Sequence, residues 1–230
     1  MEPTSEERLT DETRMPGLAM RLVAVFFSPG RLMEQLAERP RWIGALIVGG
    51  VVVGLTMAVI PVDLFLAANR EAALQRGVEF PELGERAIRA MRIVIPLTSV
   101  VTTMLFSAIF AGLYTIIFAF ILGDEGRYAQ YLAVVTHAWF IALLVGLMLT
   151  PLRISSGNAQ FTLNMASFAF FLPEGYFLNV LQALDLTQIW STLVIAQGAH
   201  AIDRRRSFKS AATILMVVLL SFALVLAIFL

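Results

Sequence analysis

The sequence predicts an all-α membrane protein, a bundle of five transmembrane helices with short interfacial helices between them. Three observations carry that prediction. Residues 42–62, 93–123, 128–152, 186–202 and 210–230 contain no Asp, Glu, Lys or Arg, and about 20 apolar residues in a helix cross the hydrocarbon core of a bilayer. Hydrophobic residues make up 58% of the chain and charged residues 15%, against roughly 25% charged in a typical soluble domain. The charges that remain are gathered at the N-terminus, in 63–92 and in 203–209. Net charge is zero, which gives no electrostatic reason for a nucleic-acid partner. There is no cysteine, so disulfides, thiolate metal sites, palmitoylation and prenylation are excluded.

Residues 1–16 are acidic and polar and read as a disordered tail, with no basic start and apolar run of the kind a cleavable signal needs. Residues 17–41 read as an interfacial amphipathic segment. Ser28 followed by Pro29 is a helix-start signal. Leu32, Met33 and Leu36 then share one face, while Arg31, Glu34, Glu38 and Arg39 surround the other. That apolar face has two partners open to it, lipid or the bundle's own end. Residues 42–230 form the membrane domain.

Its first span is expected at 42–62, as an uncleaved first crossing. Gly50 and Gly54 form a GxxxG pair, a spacing that lets helix backbones approach closely. The pair serves either a dimer seam or packing within the chain. Residues 63–92 hold five acids and five arginines and read as a solvated connection, helical over 64–76 and broken at Gly77 and Phe80-Pro81. The second span, 93–122, is longer than a straight crossing needs. It must tilt, kink at Pro96 or extend beyond the bilayer. Gly123-Asp124-Glu125-Gly126 is a tight polar turn, which makes the third span, 128–152, an antiparallel neighbour of the second.

Residues 154–173 lack charge but are rich in Ser, Asn and Thr, and their apolar part is too short to cross. They read as a dipping or interfacial segment, with a sixth span as the alternative. Residues 176–184 read as another interfacial piece. Asp185 then starts the fourth span, 186–202, as a helix cap. Its carboxylate accepts from the first free N–H groups while Gln188 reaches back. Asp203 and Arg204, Arg205 and Arg206 end that span, and 210–230 is the fifth. With five spans, eleven Lys and Arg fall on the N-terminal side and six opposite. Six spans would give a weaker split. The positive-inside rule therefore places the N-terminus in the cytoplasm and the C-terminus across the membrane.

Three stretches resemble the Yip1 family of multi-pass membrane proteins in its bacterial form. Phe26-Phe27-Ser28-Pro29 running into Arg39-Pro40-Arg41-Trp42 is similar to that domain's F-x-x-P … P-x-W opening. Leu122-Gly123-Asp124-Glu125-Gly126-Arg127-Tyr128 looks like its glycine turn, with Thr136-His137-Ala138 at a short polar break. Asp185-Leu186-Thr187-Gln188-Ile189-Trp190 is similar to its D-x-F-x-x-W start of the penultimate span, followed by Gly198 and the basic loop. The likeness covers about residues 22–228 and implies a fold and topology in an integral, bacterial inner-membrane protein. Eukaryotic relatives are linked to small GTPases and vesicle traffic, but their Asp-Leu-Tyr-Gly-Pro element is absent here and a short tail stands in place of their long cytoplasmic region, so the resemblance does not carry that role over.

No enzyme motif is present: no HExxH, GxSxG, P-loop or dinucleotide-binding glycine pattern. No cofactor is expected. His137, with Asn164 and Gln197, is the candidate intramembrane polar site, because an ionisable group at membrane depth is a functional hypothesis. A neutral imidazole bonded to a neighbouring helix is the structural alternative. Arg204, Arg205, Arg206 and Lys209 either contact anionic lipid or fix orientation. The expected function is a non-catalytic membrane scaffold or trafficking-like factor, acting through helix packing and contacts with the lipid bilayer, other membrane proteins or itself. A small transporter or channel with its site near His137 is the alternative.

Overall fold

A computed structural model describes residues 15–159, 161–169 and 171–229. The expected disordered tail lies outside these residues except for Met15 and Pro16, and Met15 is buried in the core. The described residues are helical: α1 Leu18–Phe27, α2 Pro29–Glu38, α3 Ile43–Val59, α4 Val62–Gln75, α5 Glu85–Thr115, α6 Tyr128–Met148, α7 Thr150–Ser156, α8 Tyr176–Ala183, α9 Leu186–Ile202 and α10 Phe208–Leu226. A π-helical turn, Ile116–Ile121, extends α5, and a 3₁₀ turn covers Met165–Phe168.

Among the described residues, three helices are long and apolar enough to cross a membrane: Glu85–Ile121, α6 and α10. A fourth crossing arises if α3 and α4, bent by 82° at Ile60-Pro61, count as one broken span. The bend follows from Pro61, which cannot continue the backbone ladder of α3. The span expected at 42–62 is thus a helix of 17 residues, and α9 also has 17. The long α5 runs out past the membrane: 37 residues with its π turn rise about 55 Å, far more than a core of about 30 Å. Glu85 and Arg89 face each other across one turn of its projecting end.

α6 is the central helix. Its buried share is 56%, against 22% for Glu85–Ile121 and 17% for α10. Around it α3, α5, α9 and α2 pack, and the core gathers Tyr131, Val134, Val135, Ala138 and Ile141 from α6 with Val194, Ile195 and Ala199 from α9. The outer faces of α5 and α10 present Val101, Leu105, Ile109, Val217 and Val225, the surface an integral membrane protein gives to lipid.

Residues 17–41 depart from the expected interfacial segment. α1 and α2 form a helical hairpin packed along the bundle by one face, with Met20, Val23 and Phe27 exposed on the other. At its tip, the Phe26 ring meets Phe140 edge-on at 6.4 Å and Trp190 at 5.6 Å. Phe140 lies twelve residues into α6, about 18 Å from that helix's start. α2 then climbs back along α9. Gly30 faces Gln197, Arg204 bonds Glu34 at 2.8 Å, and Gln130 Nε2 donates to the Ala37 carbonyl at 2.6 Å. Leu32, Met33 and Leu36 are buried because the bundle, not lipid, covers their face. Pro29 stands at the start of α2, and the Ser28 side chain makes no capping bond.

The region 154–173 does not cross. Arg153 Nε holds the Phe161 carbonyl at 2.9 Å, and a short bridge joins Asn164 to Asp185. Met165 N–H donates to Leu184 and Leu186 N–H to Leu163. The segment is thereby folded onto the start of α9. α8 caps the end of α10, with the Tyr176 hydroxyl donating to the Leu224 carbonyl at 2.8 Å.

Candidate functional site

The densest polar constellation lies where the 122–127 turn, the 203–207 loop and α2 meet. Two features shape the turn. Gly123 takes φ +71°, a left-handed conformation that costs glycine nothing. The preceding π turn widens the end of α5 and turns Phe118 inward, fully buried, where it stacks on Tyr131 with ring centroids 6.0 Å apart. Arg206 lies over that ring, 5.9 Å from its centroid.

Asp124 accepts a bidentate pair from Arg206. Nη2 donates to Oδ1 at 2.6 Å and Nε to Oδ2. Both partners are largely covered, with Asp124 7% and Arg206 17% exposed. Asp203 is equally enclosed and does three jobs. Its Oδ2 accepts the Glu125 N–H at 2.8 Å, its Oδ1 accepts the Arg205 N–H at 2.9 Å, and Arg205 Nη2 donates at 2.7 Å. Hydrogen bonding from the Arg205 side chain, ahead of the backbone donors, holds the Asp203 carboxyl well below the usual carboxylate range, while its burial pulls the other way. A ring nitrogen of His200, Nδ1, donates to the Arg206 carbonyl at 2.6 Å. Oppositely charged groups therefore saturate one another here. The arrangement is a clamp between two loops, and it offers no nucleophile paired with a base.

The clamp changes the account of the basic cluster. Arg204 is bonded to Glu34, Arg205 to Asp203 and Glu125, and Arg206 to Asp124. Lys209 is exposed and makes no ion pair among the described residues. The signal for Asp124 and Asp203 was present in the sequence. Spans of even separation put both short loops on one side, so their acids and arginines become neighbours.

The three residues of the candidate polar site are not brought together. Asn164 works locally. Its Oδ1 accepts the Ser167 N–H at 3.3 Å, and its Nδ2 donates to Thr162 at 3.1 Å. That places it beside Asp185, at the start of α9, whereas Gln197 lies twelve residues further along that helix, about 18 Å away. His137 sits between those levels on α6, fully buried. Its Nδ1 lies 2.8 Å from the Ala133 carbonyl, so Nδ1 carries the proton and Nε2 is an acceptor. Nε2 has no partner among the described residues. Three clefts of about 220, 480 and 450 Å³ lie at the opposite end of the bundle from the clamp, near Pro61, Pro151 and Asn164, and His137 lines none of these three.

Asp185 stands at the start of α9, with Oδ1 accepting the Thr187 and Gln188 N–H groups at 2.7 and 3.4 Å and also the Thr187 hydroxyl. Gly50 and Gly54 face α5. A Cβ at Gly50 would lie 3.0 Å from Met104 Cε, and one at Gly54 would lie 3.0 Å from Val100 Cγ2. Both glycines therefore pack within the chain. Gly198 is the tightest of all, since a Cβ there would lie 2.4 Å from Val134 Cγ1. Among the described residues no group of three or more His, Asp and Glu could hold a metal.

No curated protein and no solved structure matches the chain. The Yip1 domain profile matches residues 23–230, from α1 to the end of α10, and the chain therefore belongs to the Yip1 family.

Proposed function

We propose that the chain is a non-catalytic, five-pass scaffold of the bacterial cytoplasmic membrane, acting through helix packing and contacts with lipid or other membrane proteins. One observation carries this reading over transport. Most hydroxyls along the helices are closed on their own backbones, while Ser191 on α9 donates across to the Ala138 carbonyl of α6 at 3.0 Å. Thr56 donates to Val52, Ser107 to Thr103, Thr115 to Ala111, Thr136 to Leu132 and Ser221 to Val217. A transport path instead needs polar groups from several helices converging at mid-depth.

Support for five crossings comes from the alternation of α3, α5, α6, α9 and α10. Each of α3 and α9 rises about 25 Å, and a short helix of this kind is accommodated by local thinning of the bilayer. The positive-inside count then puts the clamp and the N-terminus in the cytoplasm. A reporter active only in the cytoplasm, fused after Leu230, is expected to be silent. An active fusion would mean an even number of crossings.

The alternative, a small transporter, is favoured by the unpartnered Nε2 of His137. Proteoliposomes holding the purified protein are expected to keep an imposed proton gradient as long as protein-free vesicles do. His137→Gln should remain folded, since glutamine keeps a donor and an acceptor. Proton or solute flux in the wild type that stops on this substitution would replace the scaffold reading with the transporter.

A further inference from the structure

The clamp neutralises the arginines of the 203–207 loop and leaves unpaired positive charge where α1 meets the start of α3. Arg21 on α1 is buried, 5% exposed. Its Nη1 donates to the Arg41 carbonyl at 3.0 Å, its Nε is buried with no partner, and it makes no ion pair among the described residues. Arg41 is exposed and close enough for its charge to act on Arg21. Two like charges are thus held together, one of them out of water, with no carboxylate between them. Such an arrangement is costly without a counter-charge.

Arg41 also stands directly before α3. The N-cap position of that helix, Trp42, provides no side-chain capping bond, and its first turn has no acidic residue. The first N–H groups of a helix are free donors at the positive end of its dipole, and together they attract an anion. The carbonyl that Arg21 grips belongs to the residue before that turn, so the guanidinium is anchored next to the start of α3. Below it, Ile43, Ile47, Val51 and Leu55 are each more than half exposed. At a spacing of four they form one apolar stripe down α3.

We propose that the N-terminus of α3, with Arg21 and Arg41, binds the phosphate of an anionic lipid headgroup, whose acyl chains lie along the Ile43–Leu55 stripe. The chemistry recognised is a phosphate anion. The stripe beneath it selects a lipid over free phosphate, and Trp42 marks the depth at which headgroups lie.

The test uses the full-length protein purified in detergent, with its thermal midpoint followed as phosphatidylglycerol, phosphatidylcholine or inorganic phosphate is added. Phosphatidylglycerol is expected to raise the midpoint by several degrees, and phosphatidylcholine to raise it less. Arg41→Gln, at an exposed position, should remove at least half of the rise, whereas Lys209→Gln should keep it. Arg21→Gln should also remove the rise wherever it folds. An equal rise in Arg41→Gln and wild type would overturn the proposal, and so would an equal rise with inorganic phosphate alone. A rise that emerges only after Glu2, Glu6, Glu7, Asp11 and Glu12 are all neutralised would assign the site to the chain's own acidic segment, which likewise overturns it.

Discussion

Gly198→Ala is expected to lower the thermal midpoint of the purified protein by about 5 °C or more. The added methyl would lie 2.4 and 2.6 Å from the two Cγ atoms of Val134 and 3.1 Å from its Cβ. Valine is stiff at χ1, and Val134 is wholly buried in the first third of α6 with both Cγ atoms toward Gly198, so no staggered rotamer clears the space. The helices α6 and α9 must separate, and overpacking of this kind costs about 1–3 kcal/mol. In a chain of this size that corresponds to roughly 2–4 °C per kcal/mol. Shrinking the obstacle should reverse part of the loss. Gly198→Ala/Val134→Ala is expected to be more stable than the sum of its single variants, because the two side chains compete for one volume. Unchanged stability in Gly198→Ala would mean that α6 and α9 do not approach so closely. Gly50 is a milder case, since the nearest atom is the flexible end of Met104.

Asp124→Asn is expected to destabilise the protein by about 3 kcal/mol, the cost of leaving one member of a covered ion pair without its partner. The substitution keeps the shape and removes the charge, so Arg206 remains over Phe118 without its bonded carboxylate, and only the Asp203 charge nearby still acts on it. Adding Arg206→Gln should recover part of the loss. A double-mutant cycle in denaturant measures the coupling, and a coupling near zero would show that the clamp is an exposed pair of little worth. Asp203 adds a pH dependence whose sign is fixed. Its folded value lies below the ordinary one, so its contribution is fully present above about pH 4 and is lost as pH falls toward the folded value. Asp203→Asn should therefore flatten the acid limb of the stability curve.

The sequence by itself determined the class of this protein, because span length and charge exclusion are properties of contiguous residues that lipid imposes directly. It also determined that the 122–127 turn and the helix starts at Pro29 and Asp185 exist, since proline, glycine and a capping carboxylate act on the neighbouring backbone, whereas the bend at Pro61 fell inside the expected span 42–62 and came only with the structure. Tertiary structure decided what each face meets. The stripe of Leu32, Met33 and Leu36 announces that something apolar covers it, and only the fold shows that α6 and α9 do so, making residues 17–41 a hairpin packed by one face on the bundle. Arg204, Arg205 and Arg206 read as a free basic cluster because Glu34, Asp124 and Asp203 lie far away along the chain. His137, Asn164 and Gln197 share polarity in sequence, yet depth along α6 and α9 separates them. Contacts between residues distant in sequence depend on helix register and loop closure together, and no local pattern encodes those.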